Sequence, residues 1–244
     1  MVSGNSSGFR REDLRTRYDV STVHEDRWHS YTDSKTKALL ARYLGHPNRS
    51  RENWLLNAGA GVYQIGYDGW LEIDVDLFAT PIAGMARAVC ANIQELPFPD
   101  GWFDAVVCVG EVLAYCDPPK AIRELARVLA PGGRLICDFG STLGFRHWLR
   151  PTLGKAAALI EVEYNGLPEK TWVYDPRYIR QLMKRFGFRI RAQVGTHSWS
   201  ALARRLGFNL THSLATQRAF EWLPLATPWS ETITLVADRE TSST

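Results

Sequence analysis

From residue 53 onward, short apolar runs alternate with segments in which apolar residues recur at helical spacing. Such alternation predicts successive β-α-β units, and therefore an α/β protein with a doubly wound, mostly parallel sheet. The predicted strands are 53–58, 71–75, 88–92, 103–109, 134–139, 188–194 and 232–237. The run 103–109 is almost continuously apolar, which is typical of a central strand buried on both faces.

Capping signals predict helices between these strands. Thr80-Pro81 fits an N-cap followed by proline at the first helical position, and it predicts a short helix toward Arg87. Further helices are predicted at 35–44, from Asp117-Pro118-Pro119 to the stop at Pro131-Gly132-Gly133, and from Asp175-Pro176 through Arg185. Beyond Gly140 the pattern loosens, and the Trp- and His-rich segments there predict a lid. The helix at 35–44 is expected to pack over the ligand-binding edge of the sheet.

An apolar strand ends directly in two glycines that lie one residue apart, in the run Leu55-Leu56-Asn57-Ala58-Gly59-Ala60-Gly61. Glycine has no side chain, so it reaches positive φ and lets the backbone approach a ligand closely. Such a loop predicts a cradle for a nucleotide-sized cofactor, although Gly-x-Gly also occurs in ordinary turns. Only twelve residues separate the predicted strands 53–58 and 71–75, so no full helix is expected between them.

Two cofactor classes use such a loop. A dinucleotide fingerprint requires Gly-x-Gly-x-x-Gly, and Gln64 occupies the position of the third glycine. Tyr31 and Lys35 match the Tyr-x-x-x-Lys pattern of short-chain dehydrogenases, but they precede the glycine loop, so the match is interpreted as coincidence. A nucleotide-binding oxidoreductase is kept as an alternative hypothesis.

Two longer motifs favour a cofactor other than a dinucleotide. Residues 96–104 read Leu-Pro-Phe-Pro-Asp-Gly-Trp-Phe-Asp, and residues 123–133 read Arg-Glu-Leu-Ala-Arg-Val-Leu-Ala-Pro-Gly-Gly. With the glycine loop before them, the chain resembles a class I S-adenosylmethionine-dependent methyltransferase of the small-molecule branch, from about Trp54 to Phe139. The resemblance implies a Rossmann-like seven-stranded sheet with an antiparallel strand near the C-terminus and a helical, aromatic lid. It also implies S-adenosyl-L-methionine as the cofactor.

The resemblance further implies which residues bind that cofactor. They are Asn57, Gly59, Ala60, Gly61, Asp74, Val75, Asn92, Ile93, Gly110 and Glu111. The aromatic faces of Tyr31 and Trp28 are expected to cover the cofactor from the N-terminal side, although packing of the lid core also explains either residue. Asp74 would accept the ribose hydroxyls, with Asp76 as the alternative if the strand shifts by one pleat; Asp74 is otherwise a turn residue. Asn92-Ile93 would face adenine. Gly110-Glu111 would lie against the sulfonium, although Glu111 is equally interpreted as a solvated loop residue.

Three positions depart from the family pattern. Asn57 replaces the usual acidic residue, Tyr63 stands where a third glycine is common, and Ala114-Tyr115 replace a frequent Glu-His pair. An amide oxygen still accepts a hydrogen bond from an ammonium group, so cofactor binding is expected. A catalytically inactive, methyltransferase-like binding subunit is the second alternative hypothesis.

Methyl transfer requires an aligned acceptor in a dry pocket, and an oxygen or nitrogen acceptor is helped by a general base. Histidine titrates near neutral pH, so the candidate bases are His147, His29 and His197, with His147 first because it follows the fifth predicted strand. On histidine availability alone we expect oxygen, rather than nitrogen or carbon, as the acceptor atom. Aromatic residues of the C-terminal half favour a small, hydrophobic or planar acceptor, although lid packing explains any one of them: Trp148, Tyr164, Trp172, Tyr174, Trp199, Trp222 and Trp229.

Composition narrows the partners, metal sites and cellular location that are expected for this chain. A net charge of +3 without long runs of like charge indicates no nucleic-acid partner. The four cysteines, Cys90, Cys108, Cys116 and Cys137, stand singly, so no metal site is predicted. Neither a signal peptide nor a membrane span is apparent, so a cytoplasmic protein without a membrane partner is expected.

We expect one domain, with 1–52 as an N-terminal helical cover, 53–140 as the cofactor-binding core, and 141–244 as the substrate lid and C-terminal strands.

Overall fold

The computed structural model describes residues 27–48, 50–164, 167–220 and 228–241. The strands within these ranges are β1 Trp54–Ala58, β2 Leu71–Asp76, β3 Ala88–Cys90, β4 Phe103–Cys108, β5 Leu129–Gly140, β6 Ala157–Tyr164, β7 Leu167–Tyr174, β8 Phe188–Thr196 and β9 Thr232–Arg239. Strands β6 and β7 form a separate antiparallel pair, and the other seven form one sheet in the order β3-β2-β1-β4-β5-β9-β8.

The direction of the strands gives the sheet one chemically distinct edge. Strands β1 to β5 are mutually parallel, and β9 runs antiparallel to both of its neighbours, β5 and β8. The expected Rossmann-like sheet with an antiparallel strand near the C-terminus is therefore confirmed. The carboxyl ends of β1 to β5 and of β8 meet at one edge, called the carboxyl edge below.

Helices follow most of the capping signals in the sequence. They are α1 Arg27–Tyr43, α2 Pro118–Val128, α3 Pro176–Arg185, α4 Ser198–Arg205 and α5 Leu210–Phe220, with short 3₁₀ turns at Val112–Tyr115 and Phe145–His147. Asp117 and Asp175 accept hydrogen bonds from backbone N–H groups of the first turns of α2 and α3, at 3.2 and 2.7 Å. Both Asp-Pro predictions are confirmed, because each side chain satisfies an otherwise unpaired helix donor.

The short helix predicted from Thr80-Pro81 is wrong. The chain makes turns there, in which Ala83 N donates to Thr80 O at 3.3 Å and Met85 N to Ile82 O at 3.2 Å. Gly84 has a φ of 90°, a left-handed conformation that stops a helix before a second turn can form. The predicted strand after it is also shorter, since β3 ends at Cys90.

The two long sequence motifs are one physical unit. Arg127 of α2 donates to Phe98 O at 2.7 Å and to Leu96 O at 2.9 Å, and it also pairs with Glu124 and Asp100. These carboxylates raise the pKa of the Arg127 guanidinium above its ordinary value. The guanidinium therefore fixes the bend that leads into β4 against the helix that leaves it.

Hydrophobic residues cover both faces of the sheet. On one face α2 and α3 pack against residues such as Leu56 and Val106, and on the other Leu39 and Leu40 of α1 pack against Leu55 and its neighbours. Because α1 covers a sheet face along its C-terminal half, only its first turns reach the carboxyl edge. The expectation that the 35–44 helix lies over that edge is therefore wrong for most of the helix.

Candidate functional site

The glycine loop is folded back onto β2 at the carboxyl edge. Gly59 and Ala60 both donate their backbone N–H groups to the carbonyl oxygen of Val75, at 2.8 and 2.9 Å. Gly59 has a φ of 81°, and a Cβ there would come within 2.4 Å of a methyl group of Val112. Gly61 has a φ of 55°, but a Cβ there would meet no atom within 4 Å. Gly59 is therefore required by protein packing, whereas Gly61 borders open space, as a cofactor cradle requires.

Asp74 does not lie at the end of β2, because the strand continues to Asp76. The Asp74 side chain is fully buried. Asn57 and Gln64 donate their side-chain amides to its two oxygens, at 2.8 and 2.9 Å, and the same Asn57 nitrogen lies 2.9 Å from Tyr63 O. The Asp74 carboxylate is thus bonded to two protein amides, and its placement at the ribose stays a prediction beside that of Asp76. The Asp74 carboxylate joins β1 to the segment that follows the glycine loop.

Asp76 is the carboxylate at the end of β2. Its oxygens accept hydrogen bonds from Gly61 N and Phe78 N, each at 3.0 Å. Burial raises the pKa of Asp76, although these backbone donors oppose the shift. Because Asp74 and Asp76 are two residues apart, they share a face of the strand, and the sequence alone does not distinguish them.

Asn92 and Ile93 lie beside the end of β2. Ala91 N donates to Asp76 O at 2.8 Å, which brings the following residues next to that carboxylate. The Asn92 side chain is exposed, and its oxygen accepts from Gln94 N at 2.9 Å, whereas Ile93 is buried in the core. The structure places both residues at the carboxyl edge, and their contact with adenine stays a prediction.

The turn after β4 has two consecutive residues in the left-handed region, Gly110 at 88° and Glu111 at 59°. Asp138 of β5 accepts from both of their backbone N–H groups, at 3.1 and 2.7 Å. Thr232 donates its hydroxyl to Glu111 Oε1 at 2.8 Å. Sequence reasoning missed Asp138, because nothing in its strand pattern shows which turn its carboxylate reaches.

His147 lies in the short 3₁₀ turn after β5 and is buried, with Nδ1 hydrogen-bonded to Thr152 Oγ1 at 2.8 Å. Burial, and then the neighbouring Arg146 and Arg150, lower its pKa to about 4. The imidazole is therefore neutral at physiological pH, which is the form that accepts a proton. Its role as a base stays a prediction, since the ring is bonded within its own loop.

His197 connects two helices at the carboxyl edge. The ring is buried, with Nε2 2.7 Å from Thr32 Oγ1 and Nδ1 3.1 Å from Ser200 Oγ. The Tyr31 ring lies 5.2 Å away between centroids. This arrangement joins α1 to α4 and favours a structural role for His197, while it brings Tyr31 to the carboxyl edge. Trp28 and His29 begin α1, but their side chains lie outside the described residues.

The β6-β7 hairpin covers the ends of β4 and β5. Tyr174 donates its hydroxyl to Leu113 O at 3.1 Å, and Tyr115 donates its hydroxyl to Glu169 Oε1 at 2.7 Å. A Cβ on Gly140 would lie 2.9 Å from a Val173 methyl group, so the hairpin also packs closely on β5. These contacts place an aromatic cover beside the turn after β4.

The remaining aromatic residues of the C-terminal half form two separate groups. Phe145 stacks on Trp229 with ring centroids 5.9 Å apart and also contacts Trp148. Trp199 packs against Phe220 at 5.6 Å. Trp222 and the side chain of Tyr164 lie outside the described residues. The candidate aromatic residues are thus distributed over several elements of the C-terminal half rather than gathered in one cluster.

In the described part of the chain, no three His, Cys, Asp or Glu side chains converge in a way that would hold a metal ion. Across the same ranges, none of the helices has the length and hydropathy needed to cross a membrane. Cys108, Cys116 and Cys137 are buried thiols, and Cys90 is an exposed one.

Comparison with known proteins gives sequence matches in the same region. Residues 64–137 match a family model described as a methyltransferase domain. A demethylmenaquinone methyltransferase of Thermus thermophilus is 32% identical over 149 residues, which cover 51% of this chain and 67% of the relative. A ubiquinone/menaquinone biosynthesis C-methyltransferase of Vibrio campbellii is 32% identical over 118 residues, which cover 44% of this chain and 46% of the relative. The chain therefore spans about two thirds of the first relative and about half of the second.

Solved structures share the fold over nearly the whole chain. The [4+2]-cyclase SpnF superimposes with a TM-score of 0.58 at 19% identity, covering 91% of this chain and 86% of that protein. Geranyl diphosphate C-methyltransferase from Streptomyces coelicolor, crystallised with S-adenosyl-L-homocysteine, gives a TM-score of 0.54 at 16% identity, covering 85% and 79%. At these identities the structural similarity shows the architecture alone.

Proposed function

This chain belongs to the class I S-adenosylmethionine-dependent methyltransferases, and on that premise we propose that it methylates a small, hydrophobic or aromatic metabolite. Family membership makes S-adenosyl-L-methionine the methyl donor and contradicts the alternative of a nucleotide-binding oxidoreductase. The observation that carries the proposal is the glycine cradle beside the Asp76 carboxylate, which lies at the same sheet edge as an aromatic cover.

We assign the donor site to residues of the carboxyl edge, with Asp76 in place of Asp74. Asp76 already bonds Gly61 N, so its carboxylate lies where the glycine loop would meet a ribose diol. Gly61 and Gly110 have open space at their Cβ positions, which suits close approach of a ligand to the backbone. Asn92-Ile93 would flank the adenine, and Tyr31 would border the site from α1.

When bound, S-adenosylmethionine supplies a methyl group on a positively charged sulfur. The protein's part is to align the acceptor and to keep water out. The β6-β7 hairpin covers the end of β4 through Tyr174 and Tyr115, and Glu111 places a carboxylate beside it. These residues would exclude water and favour a cationic donor over its neutral product.

The acceptor we propose is a ring that carries a hydroxyl group. Ionisation of such a hydroxyl activates both its own oxygen and the adjacent ring carbon as nucleophiles. Histidine availability favours oxygen, but His147 and His197 are both bonded to other side chains. The names of the matched relatives from Thermus and Vibrio, one of which is called a C-methyltransferase, support ring carbon as the second candidate.

The experiment uses S-adenosylmethionine labelled with ¹³C in the methyl group and a panel of phenols, hydroquinones and naphthols. We expect a singly methylated product by mass spectrometry, and the ¹³C chemical shift of the new methyl group distinguishes oxygen from carbon. Asp76→Asn should weaken S-adenosyl-L-homocysteine binding about 10- to 100-fold, because a charged hydrogen bond contributes about 1.5–3 kcal/mol. Asp74→Asn is the matched control, and it should reduce stability more than affinity.

Two results would contradict the proposal. Binding of S-adenosyl-L-homocysteine without any methylated product, from the panel or from a crude metabolite extract, would favour an inactive binding subunit. Equal affinity in Asp76→Asn and wild type would show that the ribose carboxylate is a different residue.

A further inference from the structure

Asp138 is a buried carboxylate near the carboxyl end of β5. It lies inside β5, next to the carboxyl edge, and its side chain is 3% exposed. Both of its oxygens accept backbone N–H groups, one from Gly110 and one from Glu111. A buried carboxylate is costly unless hydrogen-bond donors satisfy it, and these two N–H groups do so.

The geometry indicates that Asp138 holds the strained turn at Gly110-Glu111. Glu111 is one of three non-glycine residues with positive φ in the described part of the chain, and this conformation costs about 1–2 kcal/mol. With Gly110 also left-handed, two successive N–H groups point to the same side and converge on one carboxylate. The Asp138 carboxylate stabilises this conformation of the turn.

The turn is connected directly to the glycine cradle. Val112 follows Glu111 at the start of the 3₁₀ turn, and its methyl groups lie against Gly59 so closely that a Cβ there could not fit. A change in the Gly110-Glu111 conformation would therefore displace Val112 and alter the cradle. The Glu111 carboxylate is held at its other end by Thr232.

We propose that Asp138 is a positioning residue for the methyl donor: it holds the Gly110-Glu111 turn so that Val112 supports the glycine cradle and Glu111 is aimed toward Thr232. This inference rests on the donor site proposed above. It assigns to Asp138 no contact with substrate, because its carboxylate is already bonded to the turn.

The charges around Asp138 make the proposal testable by pH. Burial, and then the negative charge of Glu111, raise the pKa of Asp138 to about 7, and the thiol of Cys137 is its buried neighbour in β5. Glu231, before β9, faces Glu111 and is itself paired with Arg146 at 2.9 Å. Protonation of Asp138 would convert one acceptor oxygen into a hydroxyl and weaken one of the two bonds that hold the turn.

The experiment is calorimetric titration of the full chain with S-adenosyl-L-homocysteine at pH 6, 7 and 8. If binding requires ionised Asp138, wild-type affinity should fall up to about tenfold from pH 8 to pH 6, because the ionised fraction falls by about that factor around a pKa of 7. Asp138→Asn should bind weakly at all three pH values without this dependence. A neutral probe is used so that attraction of a sulfonium by the acids does not contribute.

The matched control is Asp238→Asn, at the opposite end of the sheet. Asp238 is also a buried β-strand aspartate, but it pairs with Arg134 and Arg191. We expect it to lose stability and keep the wild-type pH dependence. Should Asp138→Asn fail to fold, Glu111→Gln gives a second readout. It keeps an acceptor for Thr232 but removes the charge that raises the Asp138 pKa, so the midpoint of the pH dependence should move to lower pH.

Two outcomes would overturn the role of Asp138: wild-type affinity and pH dependence retained in Asp138→Asn, or pH dependence abolished in Glu111→Gln, which would make Glu111 the titrating group. Wild-type protein that binds no S-adenosyl-L-homocysteine at any of these pH values would instead refute the donor site of the proposed function. The two failures are therefore distinguishable.

Discussion

Replacing Gly59 by alanine tests the packing of the cradle. Alanine at a φ of 81° costs about 1–2 kcal/mol in backbone strain. Its Cβ would also lie 2.4 Å from a Val112 methyl group, and such overpacking costs a further energy of about 1–3 kcal/mol. We therefore expect Gly59→Ala to lower the free energy of unfolding by about 2–5 kcal/mol.

Gly61→Ala is the matched control. It carries the same kind of backbone strain, at a φ of 55°, but its Cβ has no neighbour within 4 Å. Its loss of stability should be limited to about 1–2 kcal/mol. Its Cβ would nevertheless extend into the proposed donor site, so Gly61→Ala should weaken S-adenosyl-L-homocysteine binding more than its small effect on stability suggests.

Urea denaturation of Gly59→Ala, Val112→Ala and the double variant measures the contact itself. Truncating Val112 removes the clashing methyl groups, so the two substitutions should show a favourable coupling energy of about 1–3 kcal/mol. Equal losses in Gly59→Ala and Gly61→Ala, or strictly additive effects with Val112→Ala, would refute the conclusion that the turn after β4 supports the cradle.

Three further predictions concern the surroundings of the site. Asn57→Asp would bring two carboxylates together in a buried contact and cost about 2–4 kcal/mol, and adding Asp74→Asn should recover most of that loss in urea denaturation; no recovery would contradict their pairing. Because the pKa of His147 is lowered to about 4, the unfolded chain binds more protons at this residue between about pH 4 and 6.5, so the contribution of His147 to stability is lost from pH 7 to pH 5, whereas the raised pKa of Asp138 acts in the opposite direction. Relative to wild type, His147→Gln should therefore gain stability as the pH falls from 7 to 5, and a stability difference that does not change with pH would refute the lowered pKa. Arg127→Lys cannot span both carbonyls of the 96–98 segment and should lower stability by about 1–3 kcal/mol in thermal unfolding, whereas unchanged stability would exclude the clamp.

Local signals in the sequence were sufficient for much of the fold. The Gly59 loop, the apolar β4 strand and the Asp-Pro caps of α2 and α3 depend on residues close together in the chain, and the structure confirms them. Thr80-Pro81 carries the same type of signal, but a left-handed Gly84 follows within one turn and the helix does not form. A capping signal therefore predicts a helix only where enough helix-forming residues follow.

The rest depended on pairing between distant segments. Asp74 and Asp76 are indistinguishable until the end of β2 is known, and Asp138 acquires its role only through the position of β5 beside the turn after β4. The β6-β7 hairpin was missed although Asn165-Gly166, which lie outside the described residues, are a strong hairpin signal between two alternating runs. That signal would have predicted part of the cover.

The position of β9 has a consequence for biosynthesis. β8 pairs with β9, and β9 is the element inserted between β5 and β8. While the ribosome is still making the intervening helices, β8 has been synthesised but has no partner, and the edge of β5 is also exposed. Unpaired strand edges readily join with other chains, so during this interval both edges are sites for aggregation and for capture by chaperones.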